Sequence, residues 1–228
     1  NTILDYNKIP VNKSFNTRLM VTLASEKTKS KKRNPLNLSL VIDRSGSMHG
    51  EKLDYVKEAA KLLCNQLSSD DRVSLTTFDD KVHTVFQNSK INSDTQVDSL
   101  IDGIYSGGCT NLSGGYLNGI TLAEESMKKG YVNRVILLTD GLANSGIVNE
   151  NEIAQLVRDG LKRGISTTTI GVGENYNEDL LGTMAENGGG STYFIENPED
   201  AASIFNEELG YLFHLTAQNL KINFSPSM

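Results

Sequence analysis

VIDRSGSM (residues 41–48) ends an apolar run in a carboxylate, Asp43, and follows it with two hydroxyls, Ser45 and Ser47, spaced two apart. Thr110 lies in the glycine-rich stretch SGGCTN, and Asp140 closes the most apolar run of the chain, VNRVILLTDG. These two carboxylates and three hydroxyls, with no His or Cys among them, form a hard, oxygen-only donor set. Such a set suits Mg2+, with Mn2+ or Ca2+ as alternatives, rather than zinc or copper. Short hydroxyl arms from a turn reach a small ion directly, Asp43 and Asp140 act directly or through water, and one coordination position stays open. Each piece alone has a plainer explanation. Ser45 or Ser47 could cap a helix starting near His49, because Ser is a favoured N-cap, and Asp140 before Gly141 could be an ordinary turn.

The elements that must position these residues follow from periodicity. LNLSLVID (36–43) predicts a first strand, and GEKLDYVKEAAKLLCNQL (50–67) carries Leu53, Val56, Ala60, Leu63 and Leu67 at helical spacing. RVSLTTF (72–78) and KVHTVF (81–86) predict a hairpin turning at Asp79 and Asp80, with His83 in an edge strand. A short helix over Asp94 to Ile104 and a longer one over Leu112 to Lys129 precede the strand at 132–141, which should lie mid-sheet. A helix over Glu150 to Lys162, the strand STTTIGVG (166–173), a short helix over Glu178 to Ala185, the strand STYFI (191–195) and a last helix over Glu199 to Phe213 complete the pattern.

Strands alternating with helices predict an α/β fold: a doubly wound, Rossmann-like, mostly parallel central sheet with helices on both faces. In such a sheet, ligands bind beyond the carboxyl ends of the strands where the strand order reverses. The three oxygen-bearing loops fall at such ends or beside them. FNTRLMVTL (15–23) and NLKINF (219–224) alternate apolar and polar residues and predict a small β unit from the chain ends. The expected organisation is residues 1–34 as N-terminal strand and basic linker, 35–213 as the wound domain, and 214–228 as a C-terminal strand pairing with the first.

Composition narrows the functions. A chain of 228 residues, 38% of them hydrophobic, can bury one substantial core. A formal net charge of −6 argues against nucleic acid, whose affinity rests on clustered Lys and Arg. The one basic cluster, KTKSKKR (27–33), carries no aromatic residue and is expected as a solvated linker. Cys64 and Cys109 form neither a disulfide framework nor a CxxC pair, and Cys64 is expected in a helix core. No apolar run nears the roughly 20 residues of a membrane span, so no membrane insertion is expected of this segment. The chain starts without Met and stops on a strand-like stretch, as a piece of something longer would. An extracellular or cell-surface setting is favoured over a cytoplasmic one; oligomeric state is left open.

VIDRSGSM, GGCTNLSGGYLNGI and LLTDG together resemble the three loops of the metal-ion-dependent adhesion site of von Willebrand factor A domains, in order and separation, over about residues 35 to 213. SGSMHGEKLDYVKEA, DDRVSLTTFDD and GVGENYNEDLLGTMAENGGGSTYFI are similar to the microbial branch that also resembles the A domains of inter-alpha-trypsin inhibitor heavy chains and calcium-activated chloride channel regulators. The resemblance implies a mostly parallel sheet with one antiparallel edge strand and a divalent cation at its top. It also implies ligand roles for Asp43, Ser45, Ser47, Thr110 and Asp140, all five matching in residue type. Cys109 departs from the small residue, often glycine, common there; it reads as an inert small side chain, with thiol sensitivity as the alternative.

The implied function is adhesion or protein interaction, a partner's acidic residue supplying the last ligand of the ion. His49, Asn111 and Asn144 are expected on the partner-binding rim. A metal-dependent phosphoryl hydrolase is the rival, since Asp43 at a strand end resembles an aspartyl nucleophile. Against it, residue 45 is Ser rather than a second Asp, and no Lys or His is clearly placed to handle a leaving-group proton. His214 and His83 look structural or exposed, and Gly171 and Gly173 in IGVGEN are too weak a pair to mark a dinucleotide site. A third reading is a domain whose metal only stabilises the fold.

Overall fold

The computed structural model of the chain describes residues 2–4, 19–22, 33–90 and 96–214. The chain divides into two compact units, 1–32 and 33–228. In the first, Thr2–Leu4 (β1) and Leu19–Val21 (β2) pair antiparallel with Thr2 opposite Val21. The N-terminal strand expected in FNTRLMVTL is therefore present as β2, with β1 as its partner. The second expected partner, NLKINF, lies outside the described residues, as does most of the basic cluster.

The second unit is built on Leu36–Asp43 (β3), Arg72–Phe78 (β4), Val82–Ser89 (β5), Val132–Thr139 (β6), Ile165–Val172 (β7) and Thr192–Ile195 (β8). They form one sheet in the order β5-β4-β3-β6-β7-β8. Every pairing is parallel except β4 with the edge strand β5. Chain order runs outward from β3 one way to β5 and from β6 the other way to β8, so the strand order reverses between β3 and β6. The crevice in which a wound sheet binds its ligands opens there.

Strand residues alternate between two cores. Leu38, Leu40, Ile42, Ile136 and Leu138 face Glu51–Gln66 (α1), Val97–Asp102 (α2) and Pro198–Phe213 (α6) through Leu53, Val56, Leu63, Ile101, Phe205 and Leu209. Val41, Val135 and Leu137 face Leu112–Glu125 (α3), Glu150–Lys162 (α4) and Glu178–Gly188 (α5) through Tyr116, Ile120, Val157, Leu181 and Met184. Both faces of β3 and β6 are thus covered, which is why these strands read as continuous apolar runs. Each fully buried side chain of this kind contributes roughly 1.5–3 kcal/mol. Helix α3 lies close on the sheet because Gly119 faces it: a Cβ there would stand 2.3 Å from Val41 Cγ2.

Most elements match their expected bounds within a few residues. Helix α3 is shorter than the expected 112–129, ending at Glu125 with Ser126 as its C-cap. Residues 127–131 instead make the turn that brings the Val132 N–H to the Pro35 carbonyl at 2.9 Å, starting β6 in register. Helix α2 spans only Val97–Asp102; the expected start of this helix, 94–95, lies outside the described residues. No helix among the described residues is long and apolar enough to cross a membrane.

Arg33, expected in a solvated linker, is instead tied into the domain. Its guanidinium donates to both carboxylate oxygens of Asp71 and lies 4.3 Å from the Phe213 ring centre. Asp71 also accepts from Leu36 N at 2.8 Å, Ser68 N at 2.7 Å and Ser68 Oγ at 2.9 Å. Burial alone would raise this carboxyl, but the donors outweigh it and hold Asp71 below the usual carboxylate range. A group so depressed contributes stability above its ordinary value of 3.8, and that contribution is lost as pH falls below 3.8 through the folded value. We expect Asp71→Ala to cost about 2 kcal/mol in chemical denaturation at pH 7. The gap between variant and native protein should narrow steadily below pH 3.8.

Candidate metal centre

Asp43 and Asp140 leave adjacent strands side by side. Ile42 is paired with Leu138, so Asp43 stands level with Thr139 and one residue short of Asp140. Both aspartates are 0% exposed. Asp43 Oδ1 accepts the Ser45 N–H at 2.8 Å, and Oδ2 accepts the Thr139 hydroxyl, which in turn accepts the Gly141 N–H at 2.8 Å. One hydroxyl thereby ties the end of β6 to the carboxylate of β3.

The first loop is held by backbone bonds. Arg44 N donates to Phe78 O at 2.8 Å, and the Arg44 carbonyl accepts Gly107 N at 2.8 Å. Gly46 N donates to Gly108 O at 3.1 Å. The Arg44 guanidinium turns away to Asp79, 2.8 Å, which keeps its charge off the oxygen set. Ser45 Oγ and Ser47 Oγ lie 3.1 Å apart. Residues 46–48 form one 3-10 turn pinned by buried Met48, and α1 begins after Gly50, with no side-chain cap at either start. The helix-capping explanation of the two serines is therefore set aside: neither hydroxyl caps a helix.

Thr110, 2% exposed, comes next to this loop through the bonds at Gly107 and Gly108. Its carbonyl accepts Asn144 N and Ser145 N, both at 3.2 Å, and its N–H donates to Asn144 Oδ1 at 2.8 Å. The loop after Asp140 is thus stitched to the Thr110 loop, and the Thr110 loop to the loop after Asp43. Asp140 itself is no ordinary exposed turn. Its carbonyl accepts Asn177 N at 2.9 Å, its Oδ1 accepts Leu142 N at 3.3 Å, and its Oδ2 meets Lys52 Nζ at 3.2 Å.

The rim residues sort differently. His49 is exposed, its Nδ1 3.0 Å from Ser106 Oγ. Asn111 is the N-cap of α3, its side-chain oxygen accepting Gly114 N at 3.0 Å, and Asn144 spends its oxygen on Thr110 N. Both asparagine oxygens are thus committed to backbone and position loops, while Asn144 itself is exposed and Asn111 half-buried. Cys109 is exposed and Cys64 buried in the α1 core. Thr139 and Lys52 escaped the sequence reading. The register of adjacent strand ends was the one available pointer to Thr139.

Burial pushes the Asp43 carboxyl up to about 6, with the Asp140 charge adding to it, against the lowering donors Thr139 and Ser45. Two buried carboxylates and nearby hydroxyls fit a hard divalent cation, whose charge would reverse that penalty. Among the described residues no three His, Cys, Asp or Glu side chains cluster, so no softer or carboxylate-rich set competes with this one.

A mostly parallel wound sheet with its candidate ligands beyond the carboxyl ends of its two central strands defines a Rossmann-like α/β domain. The von Willebrand factor type A domain model matches residues 37–207, and the chain belongs to that family, generally one of metal-dependent protein-interaction modules. It is 32% identical over 190 residues to an uncharacterized protein, sll0103, of Synechocystis, covering 83% of this chain and 44% of that protein. It is 26% identical over 198 residues to the pig inter-alpha-trypsin inhibitor heavy chain H2, covering 83% and 21%. The chain spans less than half the length of these relatives. Among solved structures, a von Willebrand factor type A protein of Catenulispora acidiphila superposes with TM-score 0.70 at 19% identity, over 79% of this chain and 43% of that one. Proximal thread matrix protein 1 of the mussel byssus, described with a zinc-occupied MIDAS motif, does so with TM-score 0.60 at 20% identity, over 78% and 45%.

Thr139→Val keeps the shape of the side chain but removes the hydroxyl shared by Asp43 and Gly141. We expect a loss of about 2 kcal/mol in stability and weaker Mn2+ binding by titration, with the fold retained by circular dichroism.

Proposed function

We propose that this chain is a divalent-metal-dependent protein-binding module in which an acidic residue of the partner completes the coordination of a bound Mg2+. One observation supports the reading: the three loops that carry the two buried carboxylates and the hydroxyls are bonded to one another through Gly107, Gly108 and Asn144. Asp43, Ser45, Ser47 and Thr110, with Asp140 directly or through water, would hold the ion. When bound, it supplies a Lewis-acidic position that takes a carboxylate oxygen. The mussel protein's zinc-occupied motif supports a divalent ion at such a site in this fold; the all-oxygen donors favour Mg2+ or Mn2+ here.

The hydrolase reading loses support from the surroundings of Asp43. Both its oxygens accept protein hydrogen bonds and neither is exposed, a poor setting for a nucleophile. We therefore propose a non-enzymatic role.

Asp43→Ala should abolish Mn2+ and Mg2+ binding with the fold retained, and Asp140→Ala should weaken it; retained affinity in Asp43→Ala contradicts the assignment. A pull-down from surface and cytosolic fractions of the source cell, in Mg2+ and in EDTA, should recover a partner in Mg2+ alone. Metal-dependent thermal stability with no metal-dependent partner would favour a purely structural ion, and turnover of generic phosphate esters would favour the hydrolase.

A further inference from the structure

Lys52, the second residue of α1, reaches across the crevice to Asp140 Oδ2 at 3.2 Å, its side chain 28% exposed. Its stem passes over Gly173, just past β7: a Cβ there would lie 2.5 Å from Lys52 Cε, and φ +78 favours glycine at that position. Among the described residues no other cation pairs with Asp140, and Arg44 is turned to Asp79.

We propose that Lys52 is a built-in counter-ion of the cation site: it holds divalent-ion affinity down and, in return, leaves the ion-loaded site positively charged toward the partner's carboxylate. This rests on the function proposed above. The two aspartates and Lys52 together carry one net negative charge. A dication turns that into one net positive charge, which a partner carboxylate neutralises. With a neutral residue at 52, a dication alone would neutralise the aspartates, and the carboxylate would be drawn only by the ion's open coordination position, without the added net positive charge. The ammonium also repels the incoming ion directly, and burial of Asp140 limits the solvent screening between them.

The test titrates Mn2+ into the full chain, following free ion by electron paramagnetic resonance, for the native protein, Lys52→Met, Lys52→Gln and Lys52→Arg. Lys52→Met keeps the apolar stem over Gly173, and thermal unfolding in EDTA reports folding of every variant. Both neutral variants should bind Mn2+ about tenfold tighter, about 1.4 kcal/mol, while Lys52→Arg returns toward native affinity. In EDTA the neutral variants should melt lower, since Asp140 loses its cation, and the rise in Tm on adding Mn2+ should be larger. A second arm adds acetate to the Mn2+-loaded proteins and follows water-proton relaxation, with weaker displacement of bound water expected in the neutral variants. Unchanged or weaker Mn2+ binding by both neutral variants overturns the proposal while leaving the site assignment standing. Equal acetate binding overturns its carboxylate half, and no Mn2+ binding by the native protein overturns both the proposal and the function beneath it.

Discussion

Two carboxylates taken wholly out of water beside each other make up the constraint around which the rest of the domain is arranged. Burying an ion without a partner costs several kcal/mol even after relaxation, and Asp43 and Asp140 are both fully buried at neighbouring strand ends. The protein answers part of this itself. Thr139 and Ser45 donate to Asp43, and Leu142 and Lys52 to Asp140. Burial, with the Asp140 charge, still pushes Asp43 up to about 6 against Thr139 and Ser45, a carboxyl short of positive charge. A hard dication is the group that would supply it.

The scaffold makes that demand geometrically unavoidable. A strand order that reverses between β3 and β6 sets their carboxyl ends side by side with no helix crossing between them. The cores on the two faces fix these strands, so the aspartates cannot separate without unpacking Ile42, Leu138 and Val41. The loops add little packing, but backbone bonds at Arg44, Gly46, Gly107, Gly108 and Thr110 tie each to the next. This linkage couples the hydroxyls to the carboxylates: moving Thr110 disturbs Asn144, and moving Ser45 disturbs Asp43.

Periodicity revealed the wound fold because its central strands are covered on both faces, and β3, β4 and α4 match their expected bounds to the residue. The edge strand β5 runs on to Ser89, three residues past the expected end, because its tail Gln87–Ser89 is polar and pairs through backbone that no side-chain pattern reports. The five oxygen-bearing residues were singled out from type, order and family resemblance. Their helpers were not: Lys52 and Asp140 lie 88 positions apart and Thr139 and Asp43 96, and local pattern carries no trace of such pairs. The backbone bonds of Asn111 and Asn144 were hidden for a related reason. An exposed-looking amide in a loop gives no sign of whether backbone has already claimed it.

Crystals grown with abundant Mn2+ and measured at an energy that brings out its anomalous signal test the central claim most directly. The account predicts one strong peak ringed by Ser45 Oγ, Ser47 Oγ and the Thr110 hydroxyl, with at least one position facing solvent taken by water or a foreign carboxylate. A peak elsewhere, loops splayed apart, or Lys52 Nζ seated at that point in the presence of the ion would contradict it.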